Sequence, residues 1–104
     1  MIYLRALISA TTQAEAIKII ASLATQKLIA GAMITSGQSV YWWEKKLVKR
    51  KYWNISAFTH KKHSQSIIRE VRKLHADDVP IVSFSKIEAG NADFLKWILE
   101  STKR

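Results

Sequence analysis

From Ile29 to Phe58 the chain keeps a strand-like pattern with no proline. Only Ser36-Gly37 interrupts it, and glycine inside a strand pattern marks a bulge or bend, so a kink is expected there. A run too long for one strand must fold back on itself. The basic cluster Lys45, Lys46, Lys49, Arg50 and Lys51 sits mid-run, which places the reversal near Lys45 to Lys49 and predicts a long hairpin with a charged tip. In its second arm Trp53, Ile55 and Ala57 share one face, and Tyr52, Asn54, Ser56 and Phe58 the other, by the two-residue period of a strand.

The flanks constrain how this hairpin is covered. Ile2, Leu4, Ala6 and Ile8 alternate with Tyr3, Arg5 and Leu7, predicting a first strand. Thr12 followed by Glu15 forms a capping box: the hydroxyl accepts from an early helix amide while the carboxylate returns to the cap's own N–H. The helix it opens should run to about Lys27 on a stripe of Ala16, Ile17, Ile20, Ala24 and Leu28. After the hairpin, Ser64 is expected to cap a second helix with Ile67, Ile68, Val71 and Leu74 buried, ending by Asp78 because Pro80 keeps its predecessor out of the helical region. Pro80 to Ile87 reads as a last strand, and Gly90-Asn91 introduces a terminal helix carrying Phe94, Leu95, Trp97, Ile98 and Leu99.

The order β-α-β-β-α-β-α, with right-handed crossovers, gives an α+β ferredoxin-like sandwich: a four-stranded antiparallel sheet, both main helices on one face, an extra C-terminal helix and a long β2–β3 hairpin. A length of 104 residues fits one domain, 1–104. The second sheet face carries Tyr3, Leu7 and aromatics, so a homo-oligomer is expected to cover it.

Composition removes several classes of function. With no cysteine there is no disulfide scaffold, thiolate metal site or cysteine nucleophile. The apolar start is broken by Arg5 and has no basic lead-in, so it does not read as a secretory signal. No window is long and apolar enough for a membrane span. A soluble cytoplasmic protein without membrane insertion is expected. The net charge of +9 favours encounter with polyanions without naming one.

Three pieces carry a family likeness: Val40–Glu44 (VYWWE), Leu74–Pro80 (LHADDVP) and Ile87–Ile98 (IEAGNADFLKWI). They resemble the CutA family, proteins linked by name to divalent-cation tolerance. Tyr41, Trp43 and Glu44 fit its Y-x-W-E. Thr59 fits the threonine of its Lys-Thr pair, His75 and Pro80 the ends of its H-P-Y-x-x-P-E, and Gly90, Asn91, Asp93, Phe94, Leu95 and Trp97 its last motif. Phe58 stands where the family has lysine, Ala76 and Asp77 replace Pro-Tyr, Ile81 replaces a glutamate, and Gly31 holds the place of a common cysteine. The resemblance implies a tight homotrimer assembled through the sheets, with Tyr41, Trp43, Glu44, Trp53, Phe58 and Trp97 at or near the inter-subunit clefts. It also implies a non-enzymatic role in the response to divalent metal ions, copper first among them, with no required cofactor. A second reading is a trimeric module like the PII signalling proteins, binding a small ligand or a signalling or membrane partner protein in those clefts.

For a metal, His60, His63 and His75 are the candidate ligands, since imidazole suits copper, zinc or nickel. Lys61 and Lys62 between two of them oppose a divalent ion. Asp77 and Asp78 are adjacent and tend to diverge, and no serine or threonine has a motif-defined base, so no catalytic residue is assigned. Aromatics interleaved with lysines suit single-stranded nucleic acid, but the signature of an RNA-recognition sheet is missing. The lysines are expected to solvate the hairpin tip instead.

Overall fold

The computed structural model describes residues 1–104. Its elements are β1 (Tyr3–Ala10), α1 (Gln13–Thr25), β2 (Gly31–Trp43), β3 (Lys46–His60), a 3₁₀ turn (Lys61–His63), α2 (Ser64–Leu74), β4 (Val82–Lys86) and α3 (Ala92–Ser101). The strands lie in the order β2-β3-β1-β4, every neighbouring pair antiparallel. This is the ferredoxin-like α+β sandwich expected from the periodicity.

The core lies between the sheet and the two main helices. Ala6, Ile8 and Ala10 of β1 and Ile55 and Ala57 of β3 meet Ala16, Ile19 and Leu23 of α1 and Ile67 and Val71 of α2, all fully buried. The stripe on α1 therefore differs from the expected one. Ala16, Ile19 and Leu23 follow the i, i+3, i+7 rule, whereas Ile17 points outward and is 53% exposed. Thr12 caps α1 as expected, its Oγ1 accepting from the Glu15 amide at 3.0 Å. The helix stops at Thr25, before Lys27. Lys27 takes a left-handed φ of 58°, while its amide donates to Ala24 O and the Leu28 amide donates to Leu23 O. That is a Schellman ending with lysine in the usual glycine place. Ser64 does not cap α2; its hydroxyl donates to Lys61 O at 3.0 Å.

The hairpin corrects two expectations. Its register runs unbroken from Gly31 opposite Phe58 to Trp43 opposite Lys46, so Ser36-Gly37 makes no bulge. The reversal is a two-residue turn at Glu44 and Lys45, with φ of 48° and 65°, the backbone of a type I′ turn. Lys49, Arg50 and Lys51 are therefore strand residues opposite Val40, Ser39 and Gln38, and the tip proper holds only Glu44 and Lys45.

The second sheet face is partly closed by the chain itself. Residues Gly31 and Phe58 of that face lie under α3, with the Phe58 and Phe94 rings edge-on at 5.2 Å. A Cβ on Gly31 would come within 2.9 Å of the Trp97 ring, so the indole occupies the space a side chain at position 31 would need. Next to α3 this face is mostly polar, with Arg5, Ser56, Ser83 and Ser85 around the exposed Leu7 and Met33, and along the arm it carries Tyr41, Trp43 and Tyr52. Val40, Trp42 and Leu47 stand exposed on the other face of the arm, and Val79 and Ile81 on the loop.

Candidate functional site

A cavity of about 650 Å³ lies between the hairpin arm and the loop following α2, lined by Tyr41, Trp43, Arg50, Tyr52, Asn54 and Asp77 among others. Its volume falls in the range of small-molecule sites. Arg50, Tyr52 and Tyr41 reach it because odd residues of β2 and even residues of β3 share one face of the arm. Asp77 comes from the loop. Its carboxylate accepts from the Tyr52 hydroxyl and pairs with the Arg50 guanidinium at 3.6 Å. Arg50 also stacks 5.1 Å over the Tyr52 ring, which meets Tyr41 edge-on at 5.9 Å. Burial, reinforced by the Asp77 carboxylate, pushes the Tyr52 phenol far above its ordinary value, so it stays protonated and serves as a donor. A hydrogen bond to Tyr41 raises the Arg50 guanidinium further.

His75 fixes this loop in place. Its Nε2–H donates to Ser9 O at 2.9 Å, with Ser9 Oγ 3.1 Å away, and its Nδ1 accepts from the Asp77 amide at 3.0 Å. Ser9 Oγ accepts from the Ile81 amide at 2.9 Å. Glu15 completes the tie: Oε1 accepts from the Thr11 amide and hydroxyl, and Oε2 accepts from the Ala76 amide at 3.0 Å. With Nε2 protonated, His75 has no lone pair to act as base toward Ser9 Oγ. The Thr12 half of the capping box was legible in the sequence, but Glu15 takes the Thr11 amide rather than the cap's own, and its grip on Ala76, 61 residues away, carried no local signal.

The structure divides the three histidines. His75 is buried at the arm end with both ring nitrogens engaged. His60 and His63 lie together at the other end of β3, their ring centroids 4.4 Å apart. His63 Nε2–H donates to Thr102 O at 3.2 Å, just past α3, while His60 Nδ1 is buried with no partner. Burial lowers both imidazoles below their ordinary pKa, with Lys62 adding to the effect on each. No three His, Cys, Asp or Glu side chains converge as a metal-binding group.

The expected cleft residues are likewise dispersed. Tyr41 and Trp43 line the cavity. Glu44 lies in the hairpin turn. Trp53 faces the helices, packed on the edge of the core. Phe58 and Trp97 belong to the α3 contact at the opposite end of the sheet. The basic residues split too. Lys51 lies 5.1 Å over the Trp53 ring, Arg50 turns into the cavity, and Lys45, Lys46 and Lys49 are exposed.

A four-stranded antiparallel sheet with two helices on one face, a third on the other and a long β2–β3 arm places the molecule among ferredoxin-like α+β proteins with an extended hairpin. Comparison with known proteins narrows this class. The family model for the CutA1 divalent ion tolerance protein matches residues 4–101, and the chain belongs to that family. It is 30% identical over 87 residues to the divalent-cation tolerance protein CutA of Pyrococcus horikoshii, covering 84% of this chain and 85% of the relative. Among solved structures, CutA from Archaeoglobus fulgidus, described as a periplasmic divalent cation tolerance protein, superposes with a TM-score of 0.95 at 28% identity, covering 97% of this chain and 99% of the other. CutA1 from Oryza sativa gives 0.95 at 25% identity over 100% of this chain and 96% of the other.

Proposed function

We propose that this chain works as a non-enzymatic homotrimer in tolerance to divalent metal ions, copper first among them. Membership of a family named for that tolerance carries the reading. The trimer is supported by apolar side chains left bare on the arm and the loop, Trp42 at 72% exposure foremost. Solvent-facing apolar groups clustered in this way mark a surface that another chain covers. No cofactor is part of the proposal, and copper is cargo.

The cytoplasm is the proposed compartment. A chain without cysteine gains nothing from oxidising surroundings, and no helix is long and apolar enough to cross a membrane. Growth of cells lacking the gene tests the function. They should lose copper tolerance and regain it with the intact gene, and equal growth of both strains across a copper series would overturn the reading.

The second reading, a PII-like module that binds a small ligand, is favoured by one observation: the cavity between the arm and the Asp77 loop.

A further inference from the structure

The histidine pair below α3 has no part in the cavity. It belongs to a separate pocket of about 280 Å³, lined also by Lys62, Lys103 and Arg104 and by no acidic side chain. Three cations without a carboxylate suit an anion. Beyond the effect of burial, the Lys62 charge depresses both imidazoles and the Arg104 charge depresses His63, so these side chains stand close to the rings. α2 starts at Ser64 with no acidic residue in its first turn, which leaves its positive end uncompensated beside the pair. The negative end of α3 is also near, but His63 Nε2–H already holds the Thr102 carbonyl, and the Thr102 hydroxyl holds the Ile98 carbonyl. The volume lies just under the range of small-molecule sites, which fits a compact ion.

The ring nitrogens set which anion. Both imidazoles are buried, each 4% exposed, and burial keeps them neutral at pH 7.5. His63 spends its one N–H, at Nε2, on Thr102 O, so its Nδ1 offers a lone pair. His60 Nδ1 is the one buried polar side-chain atom without a partner. A buried lone pair is left unpaired more often than a buried N–H, which puts the His60 proton on Nε2. Neither His60 Nε2 nor His63 Nδ1 has a partner in the chain, and neither is sealed off as His60 Nδ1 is. The pair thus presents one donor and one acceptor, and with ring centroids 4.4 Å apart one ion can touch both rings.

Hydrogen phosphate matches this set. Its P–OH donates to His63 Nδ1, an ionised oxygen accepts from His60 Nε2–H, and its two negative charges meet the surrounding cations. Sulfate has the charge without the proton. A phosphate monoester loses its last P–OH proton with a pKa of about 6, so at pH 7.5 it also lacks the donor.

We propose that His60, Lys62, His63, Lys103 and Arg104 form a binding site for inorganic hydrogen phosphate at the foot of α3, with His63 Nδ1 reading its P–OH. The site is independent of the metal-tolerance reading.

The test is a calorimetric titration of the full chain at pH 7.5 and fixed ionic strength with inorganic phosphate, sulfate and methyl phosphate, alongside nitrogen-15 spectra of the imidazoles. One phosphate should bind per chain, at least tenfold tighter than sulfate or methyl phosphate, the worth of about one hydrogen bond. It should move the signals of His60 Nε2 and His63 Nδ1 and leave His75 unmoved. His63→Phe removes the acceptor, so phosphate should weaken to the level of sulfate while sulfate binds no more weakly than before. Lys103→Gln with Arg104→Gln should weaken all three anions at least threefold and keep their order. Circular dichroism should be unchanged in each variant; should His63→Phe unfold, the imidazole spectra of the unmutated chain still decide the matter. Equal, weak binding of all three anions would mean an adventitious ion only and would overturn the site. So would absent phosphate binding, methyl phosphate binding as tightly, a shifted His75, or a folded His63→Phe that still prefers phosphate.

Discussion

His75 and the His60–His63 pair show how the same residue type serves different ends according to its hydrogen bonds. Around His75 every polar atom is matched: Ser9 and Asp77 occupy its nitrogens, and Glu15 holds the neighbouring Ala76 amide. The other pair is buried beside Lys62, with one nitrogen orphaned, and both rings have lowered pKa values. The folded state therefore binds fewer protons than the unfolded chain between the depressed folded values and the unfolded value of about 6.5. Stability from these rings is present above that unfolded value and lost as pH falls through the folded ones. The urea midpoint should drop between pH 7.5 and pH 5.5, and His60→Phe should flatten the drop. A midpoint that rises on acidification over this range would contradict the assignment. From the sequence, all three histidines were candidate metal ligands. Their separation depends on Ser9 and Thr102, which lie 66 and 39 residues from the histidines they contact.

Among the elements, the hairpin shows what strand patterning can and cannot fix. Alternation placed Ile55 and Ala57 inward and Tyr52 and Phe58 on the other face, as found. The turn was harder to read, because Glu44 and Lys45 are not the asparagine and glycine that a type I′ turn favours. Left-handed backbone at a residue with a Cβ costs roughly 1–2 kcal/mol, and the paired arms hold Glu44 and Lys45 in it. Replacing them by Glu44→Asn and Lys45→Gly should raise stability by about 1 kcal/mol, seen as a higher thermal midpoint. An unchanged or lower midpoint would mean that the glutamate or lysine side chain makes a compensating contact. Ser36-Gly37 misled in the opposite way. Glycine suggested a bulge, yet Gly37 pairs in regular register with Tyr52, and nothing within 4 Å requires the absence of a side chain there.

For the whole molecule, the question is which surface the proposed trimer would use. The sequence pointed to the second sheet face; α3 covers one end of it, and along the arm the same face carries Tyr41, Trp43 and Tyr52. Further bare apolar groups, Val40, Trp42 and Leu47, lie on the other face of the arm, with Val79 and Ile81 on the loop. Native mass spectrometry should find three times the 11.9 kDa of one chain. Trp42→Ser combined with Leu47→Ser, opposite each other on the arm and both exposed, should release monomers while leaving the circular dichroism unchanged. A monomeric parent protein, or a trimer indifferent to both changes, would remove the arm from the interface.

The sequence alone determined the element order, the sheet topology and the capped start of α1. Each follows from the spacing of apolar residues or from groups within one turn of each other, and local geometry gives only one answer there. It also carried the family, through short motifs. The tertiary structure alone decided that Asp77 meets Arg50 and Tyr52, that Glu15 and Ser9 lock the His75 loop, and that His60 and His63 share a pocket with Met1. Those contacts join residues far apart in the chain, and they form only when packing the core brings the ends of separate strands and helices together.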